Sequence, residues 1–177
     1  MNTLYSEARK DRLVQEQMHD AYPHSSKLAE PNVCPVCSAV FKGGHWQWVD
    51  SWSLESHQEI CQACRRIRDN DPAGFVTMSG DFMESHKQEV INLARNEEAA
   101  ECSRHPLNRI MSIEDHGNLM IVATTDIHLP KRIGSALHRA YKGEMDLHYD
   151  KQGCFVRVNW TSRASEENKP NSVKKRR

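Results

Sequence analysis

Two cysteine pairs, Cys34-Pro35-Val36-Cys37 and Cys61-Gln62-Ala63-Cys64, limit what this chain can fold into more than any other feature. Each is a C-x-x-C knuckle, and 23 residues lie between them. Two thiolates spaced by two residues on a tight turn bind one ion without straining the backbone. Two such turns complete a tetrahedron around Zn²⁺, with metal–sulfur distances of about 2.3 Å. The spacing predicts a four-cysteine zinc ribbon whose insert, slightly longer than the commonest ~15–20 residues, is filled by short strands. The same sulfurs also suit an iron–sulfur cluster. A thioredoxin-like redox pair needs a βαβ setting, which neither knuckle has. His45 and His57 are nearby, but four cysteines already saturate one ion, and Cys102 and Cys154 read as isolated, small apolar residues. A closed four-cysteine site leaves no position for substrate or water. It therefore predicts a folding role, contributing on the order of 10 kcal/mol, rather than catalysis.

The rest of the chain divides around this module. Residues 1–30 are polar and read as an arm with at most a short helix over 9–19, and residues 31–72 form the ribbon. Alternation at His45-Trp46-Gln47-Trp48-Val49 predicts a strand with both tryptophans on one face. Asp69-Asn70-Asp71-Pro72-Ala73-Gly74 reads as a turn or linker. Residues 78–160 then predict an α+β domain in the order α-β-β-α-β-β. Asp81 caps a first helix ending near Cys102, with Met83, Val90, Leu93 and Ala94 on its apolar side. Strands follow over 109–114 and 119–125. Leu129, Ile133, Ala136, Leu137, Ala140 and Tyr141 form the apolar stripe of a second helix, with Pro130 in its first turn and Gly143 at its stop. Strands over 144–149 and 154–160 close a four-stranded antiparallel sheet with the helices on one face. Residues 161–177 read as disordered.

Charge separates along the chain. The totals are 24 Lys and Arg against 24 Asp and Glu, yet residues 151–177 carry 8 basic and 2 acidic side chains. The tail ends in Lys174-Lys175-Arg176-Arg177, the kind of basic terminus that acts on a polyanion. No apolar run approaches the roughly 18 residues of a membrane helix, and the N-terminus has no apolar signal region, so the expected location is the cytoplasm, where disulfides are rare.

No Gly-rich phosphate loop, nucleophile elbow or H-E-x-x-H pair is present. Asp126 and His128 flank the start of the second helix, where an aspartate chiefly complements the helix dipole. No enzyme and no small-molecule substrate are expected. Basic residues are better placed for nucleic acid. Lys131, Ser135, His138 and Lys142 share one helical face flanked by Arg132 and Arg139, while Arg65 and Arg66 follow the second knuckle directly. Trp46, Trp48 and Trp52 suit base stacking, although a thin ribbon core needs at least one of them. Without a groove-reading helix motif, RNA is favoured over DNA.

The knuckles, then Cys64-Arg65-Arg66-Ile67, an acidic helix, the run Thr124-Thr125-Asp126-Ile127-His128-Leu129-Pro130-Lys131-Arg132-Ile133-Gly134, and Tyr141-Lys142-Gly143 before a final hairpin resemble a bacterial family of zinc-ribbon proteins. That family in turn resembles the N-terminal zinc-binding part of the archaeal and eukaryotic adaptor that exports the large ribosomal subunit. The resemblance covers residues 32–160 and implies a large-subunit or ribosomal-RNA partner. The expectation is therefore a non-enzymatic, zinc-stabilised RNA- or ribosome-binding protein. In it Cys34, Cys37, Cys61 and Cys64 hold the metal, and Arg65, Arg66, Lys131, Arg132, Arg139, Lys142 and Lys174–Arg177 meet phosphates. A protein-docking ribbon adaptor without nucleic-acid binding is the alternative.

Overall fold

The computed structural model describes residues 28–162 apart from Leu54 and Gln152; the expected arm helix and basic tail lie outside the described residues. The first part is a small four-stranded sheet of β1 (Asn32–Val33), β2 (Val40–Lys42), β3 (His45–Gln47) and β4 (His57–Gln58), in the order β3-β2-β1-β4. Gly43 and Gly44, both at positive φ, make the β2–β3 turn, and their N–H groups donate to the Glu30 carboxylate at 2.7 and 3.2 Å. Helix α1 (Gln62–Asp69) follows the second knuckle and ends on Asn70 in the left-handed region. Trp46 is buried against Phe41, with ring centroids 5.6 Å apart, and fills the module's core beside the cysteines.

The second part is mixed α+β. Strand β5 (Gly74–Ser79) leads into α2 (Phe82–Cys102), β6 (Ile110–Asp115), β7 (Leu119–Thr124), α3 (His128–Tyr141), β8 (Glu144–Tyr149) and β9 (Val156–Thr161). The sheet has five strands in the order β6-β7-β5-β9-β8. This corrects the expected four-stranded antiparallel sheet. Strand β5, beginning where the sequence reads as a linker, occupies the centre, antiparallel to β7 and parallel to β9. Its sequence alternates: Gly74, Val76 and Met78 are buried, and Phe75, Thr77 and Ser79 point to the other face. Parallel strands need a long crossover, and here α2, β6, β7, α3 and β8 all intervene before β9 returns beside β5.

Helices α2 and α3 cover one face. Val76, Met78, Met120, Val122, Val158 and Trp160 from the sheet meet Met83, Val90, Leu129, Ile133 and Leu137 from the helices. The expected stripe of α3 is the observed one, except that Ala140 is exposed. Asp81 stands at the N-cap of α2 but makes no side-chain cap bond, which corrects its expected role; the Met83 N–H instead donates to the Gly80 carbonyl. After α3 the chain reverses through Lys142 and Gly143, both at positive φ, and the Trp160 indole N–H donates to the Lys142 carbonyl at 3.0 Å. A Cβ on Gly143 would lie 2.7 Å from that indole nitrogen, so only glycine fits there. Among the described residues no helix is long and apolar enough to cross a membrane.

The central position of β5 makes a testable distinction between its two faces. Met78→Ala should cost about 2–5 kcal/mol in urea unfolding. Thr77→Ala, one residue away on the opposite face, should stay within about 0.5 kcal/mol. Equal costs would contradict this register.

Candidate metal centre and the cationic helix

The two knuckles bring Cys34, Cys37, Cys61 and Cys64 together, with their sulfurs all within 4.8 Å of one another. Local backbone bonds shape each turn. In the first, the Ser38 N–H donates to the Cys34 carbonyl at 2.8 Å, the Cys34 N–H donates to the Ala39 carbonyl at 2.8 Å, and Ser38 takes a positive φ. In the second, Cys61 precedes α1 in extended conformation and its N–H donates to Cys34 Sγ at 3.4 Å, which ties one knuckle to the other. The Cys37 and Cys61 sulfurs are 3.7 Å apart. A tetrahedron with metal–sulfur bonds of ~2.3 Å has edges of about 3.8 Å, so the four sulfurs fit a single ion.

The electrostatics of the thiols follow from this crowding. The hydrogen bond from the Cys61 thiol pulls the Cys37 pKa well below the usual thiol value, with a further contribution from Arg109. Cys61 is correspondingly pushed up by its bond to Cys37 and by burial. Burial raises Cys64 to about 11. A metal must displace the remaining protons, so binding releases them and weakens as pH falls.

Arg109, at the entrance to β6, is the functional neighbour that sequence reading missed. Its Nη1 lies 3.6 Å from Cys64 Sγ, and its guanidinium stands 5.7 Å from the centroid of the Trp48 ring. Burial disfavours the charged guanidinium, but the Cys37, Cys61 and Cys64 sulfurs more than offset this and raise its pKa. Arg109 and Cys64 are 45 residues apart in sequence, and no local pattern marks the pairing. Trp48 lies beyond the end of β3, and its indole donates to the Cys102 carbonyl at 2.6 Å, so it bridges the metal module to α2. Trp52 stays partly exposed.

The structure sorts the predicted phosphate contacts. Arg66 is 4% exposed and donates to the Asp71 carbonyl at 2.9 Å and to its carboxylate at 3.2 Å. This corrects its expected role: Arg66 follows buried Ala63 by three residues on α1 and so turns inward. Arg65 is paired with Glu59. Lys131, Arg132 and Arg139 on α3 and Lys142 directly after it are all exposed. Of these, Arg132 leans onto α2, with Nε 2.7 Å from Glu101 and Nη2 3.4 Å from Glu97, and Arg139 reaches to 3.9 Å from Glu97. Lys131 and Lys142 make no ion pair among the described residues. Lys174, Lys175, Arg176 and Arg177 lie outside those residues. Asp126 does complement the helix start: its Oδ2 accepts the N–H groups of His128 at 2.6 Å and Leu129 at 3.1 Å.

Charge beside the sulfurs gives the next expected outcome. Arg109→Met keeps the side-chain bulk and removes the cation. Competition with a chromophoric chelator should show metal affinity falling by about 10–100-fold, the usual effect of losing an outer-shell partner. An unchanged affinity would remove Arg109 from the centre. Compared with known proteins, the chain matches no family model, no curated protein and no solved structure.

Proposed function

We propose that this chain is a cytoplasmic, non-enzymatic, zinc-stabilised RNA-binding protein that acts on the ribosome, at its large subunit. The observation that carries the reading is the outer face of α3, where Lys131 and Lys142 stand exposed without ion pairs beside Arg132 and Arg139. This cationic strip belongs to a body that is otherwise acidic, since residues 28–162 hold 14 Lys and Arg against 18 Asp and Glu. The basic terminus Lys174–Arg177 adds a second cationic element. The resemblance of the run Thr124–Gly134 to a bacterial zinc-ribbon family, which in turn resembles the export adaptor, supports the ribosomal assignment.

Zinc is the proposed ion. Four thiolates converging on one point favour zinc or iron over oxygen-preferring cations, and the short sulfur–sulfur distances favour one ion over a multinuclear cluster. Four sulfur ligands close the coordination sphere, so the centre's role is folding. Elemental analysis should return one zinc per chain, and none after Cys61→Ser.

A second reading has its own support. Val36, at the tip of the first knuckle, is 66% exposed, as a protein-docking ribbon would present it. A salt titration separates the two. Single-stranded RNA should bind with a steep dependence on salt, near −0.7 in log–log slope per phosphate contact. The double variant Lys131→Ala, Lys142→Ala should weaken binding alike across sequences and flatten the slope by about 1.4. Absence of binding at low salt would discard the RNA reading and leave the docking one.

A further inference from the structure

A groove of about 640 Å³ runs between α2 and α3. That volume is within the usual range of a ligand site, about 300–1,000 Å³. Glu97 and Glu101 line its α2 side, and Lys131, Arg132 and Arg139 its α3 side. The formal balance of these five groups is one positive charge. A phosphodiester carries one negative charge and neutralises it, whereas a terminal phosphate carries about −1.5 to −2 and overshoots. Arg139 is largely exposed and Arg132 is 42% exposed, and ion pairs to Glu97 in such settings are weak, so both guanidiniums can turn from Glu97 to phosphate oxygens at small cost.

Glu101 is a different kind of group. It is only 7% exposed, and its Oε2 lies 2.7 Å from Arg132 Nε without receiving an N–H in hydrogen-bonding geometry. Arg132 pairs with its charge, but an oxygen that receives no well-directed N–H is left short of a hydrogen bond, and a ligand that brings N–H groups to it gains accordingly. Among the bases, guanine alone offers two adjacent donors, its ring N–H and its exocyclic amine, matching the two oxygens of a carboxylate. Adenine and cytosine present an amine beside an acceptor, and uracil a single N–H between two carbonyls.

We infer that this groove takes one internal guanine nucleotide of single-stranded RNA, with the phosphodiester against Lys131, Arg132 and Arg139 and the base edge on Glu101. The inference rests on the RNA reading above and names the subsite at which sequence is read. The full-length protein is titrated with labelled pentaribonucleotides that carry G, A, C, U or inosine between flanking uridines. The G oligonucleotide should bind about tenfold tighter than the others. Inosine, which lacks the exocyclic amine, should lose most of that preference in the unaltered protein. Glu101→Gln should erase the preference for G, and because it also removes one negative charge from the groove the all-U oligonucleotide should bind at least as tightly as before. Equal affinity for G and U, or inosine binding as tightly as guanine, would overturn the guanine site alone. Failure of every oligonucleotide at low salt would overturn both this site and the RNA reading.

Discussion

Bringing four sulfurs within 4.8 Å of one another is the constraint around which the first half of this protein is built. Thiolates at that spacing repel, and burial adds to the cost of each charge. The chain offsets this locally in two ways. The Cys61 N–H points at Cys34 Sγ, and the Arg109 guanidinium closes on Cys64 from the other domain. A divalent ion bound there would do the rest, reducing four negative charges to two, against which one arginine is a fitting neighbour. Little else in the module would hold it: its strands are two or three residues long, and its core consists largely of the cysteines, Ala39, Ala63 and Trp46.

Arginines illustrate how the fold decides which charges are available. By sequence, Arg65, Arg66, Arg132 and Arg139 look alike. By structure, Arg66 holds the end of α1 to Asp71, Arg65 meets Glu59, and Arg132 spans the α2–α3 groove. Of the described cations expected to meet phosphate, Lys131 in the first turn of α3 and Lys142 just after its end present charge without an ion-pair partner. An arginine already bonded within a helix-to-loop junction contributes rigidity. One at an exposed rim, as Arg139 is against Glu97, contributes donors that a polyanion can claim, because an exposed pair gives up little when it parts.

Much of this was legible from residue spacing. The cysteine knuckles, the apolar stripe of α3 and the extent of α2 all come from periodicities of a few residues, which local sequence carries directly. Strand β5 was obscured by its neighbours. The turn signal Asp71-Pro72-Ala73-Gly74 runs into its first residue, and its importance comes from pairing with β7 and β9, some 40 to 80 residues away in register. The inward turn of Arg66 had a signal, the three-residue spacing from Ala63, but the basic run Arg65-Arg66-Ile67-Arg68 masked it. Arg109 had none, since its partners are brought to it only by the tertiary fold.

The segment from His105 to Arg109 explains why the two halves belong to one working unit. Leu107 packs on the metal module's core, and Arg109 lies against Cys64. His105 and Asn108, between and beside them, line the α2–α3 groove. The same segment is fastened to the start of α3: the Thr125 hydroxyl donates to the Leu107 carbonyl at 2.5 Å and accepts the Arg109 N–H at 2.9 Å, and Asp126 next to it caps the helix that bears Lys131 and Arg132. Thr125-Asp126 is thus a joint, one residue gripping the strap from the metal centre and the next orienting the cationic helix. Loosening the sulfur cluster removes the anchors of Leu107 and Arg109, and the first elements to feel it through that joint are the rim of the groove and the first turn of α3. An ion bound at the four sulfurs would thus set, through that joint, the geometry in which the charged groups of α2 and α3 face each other.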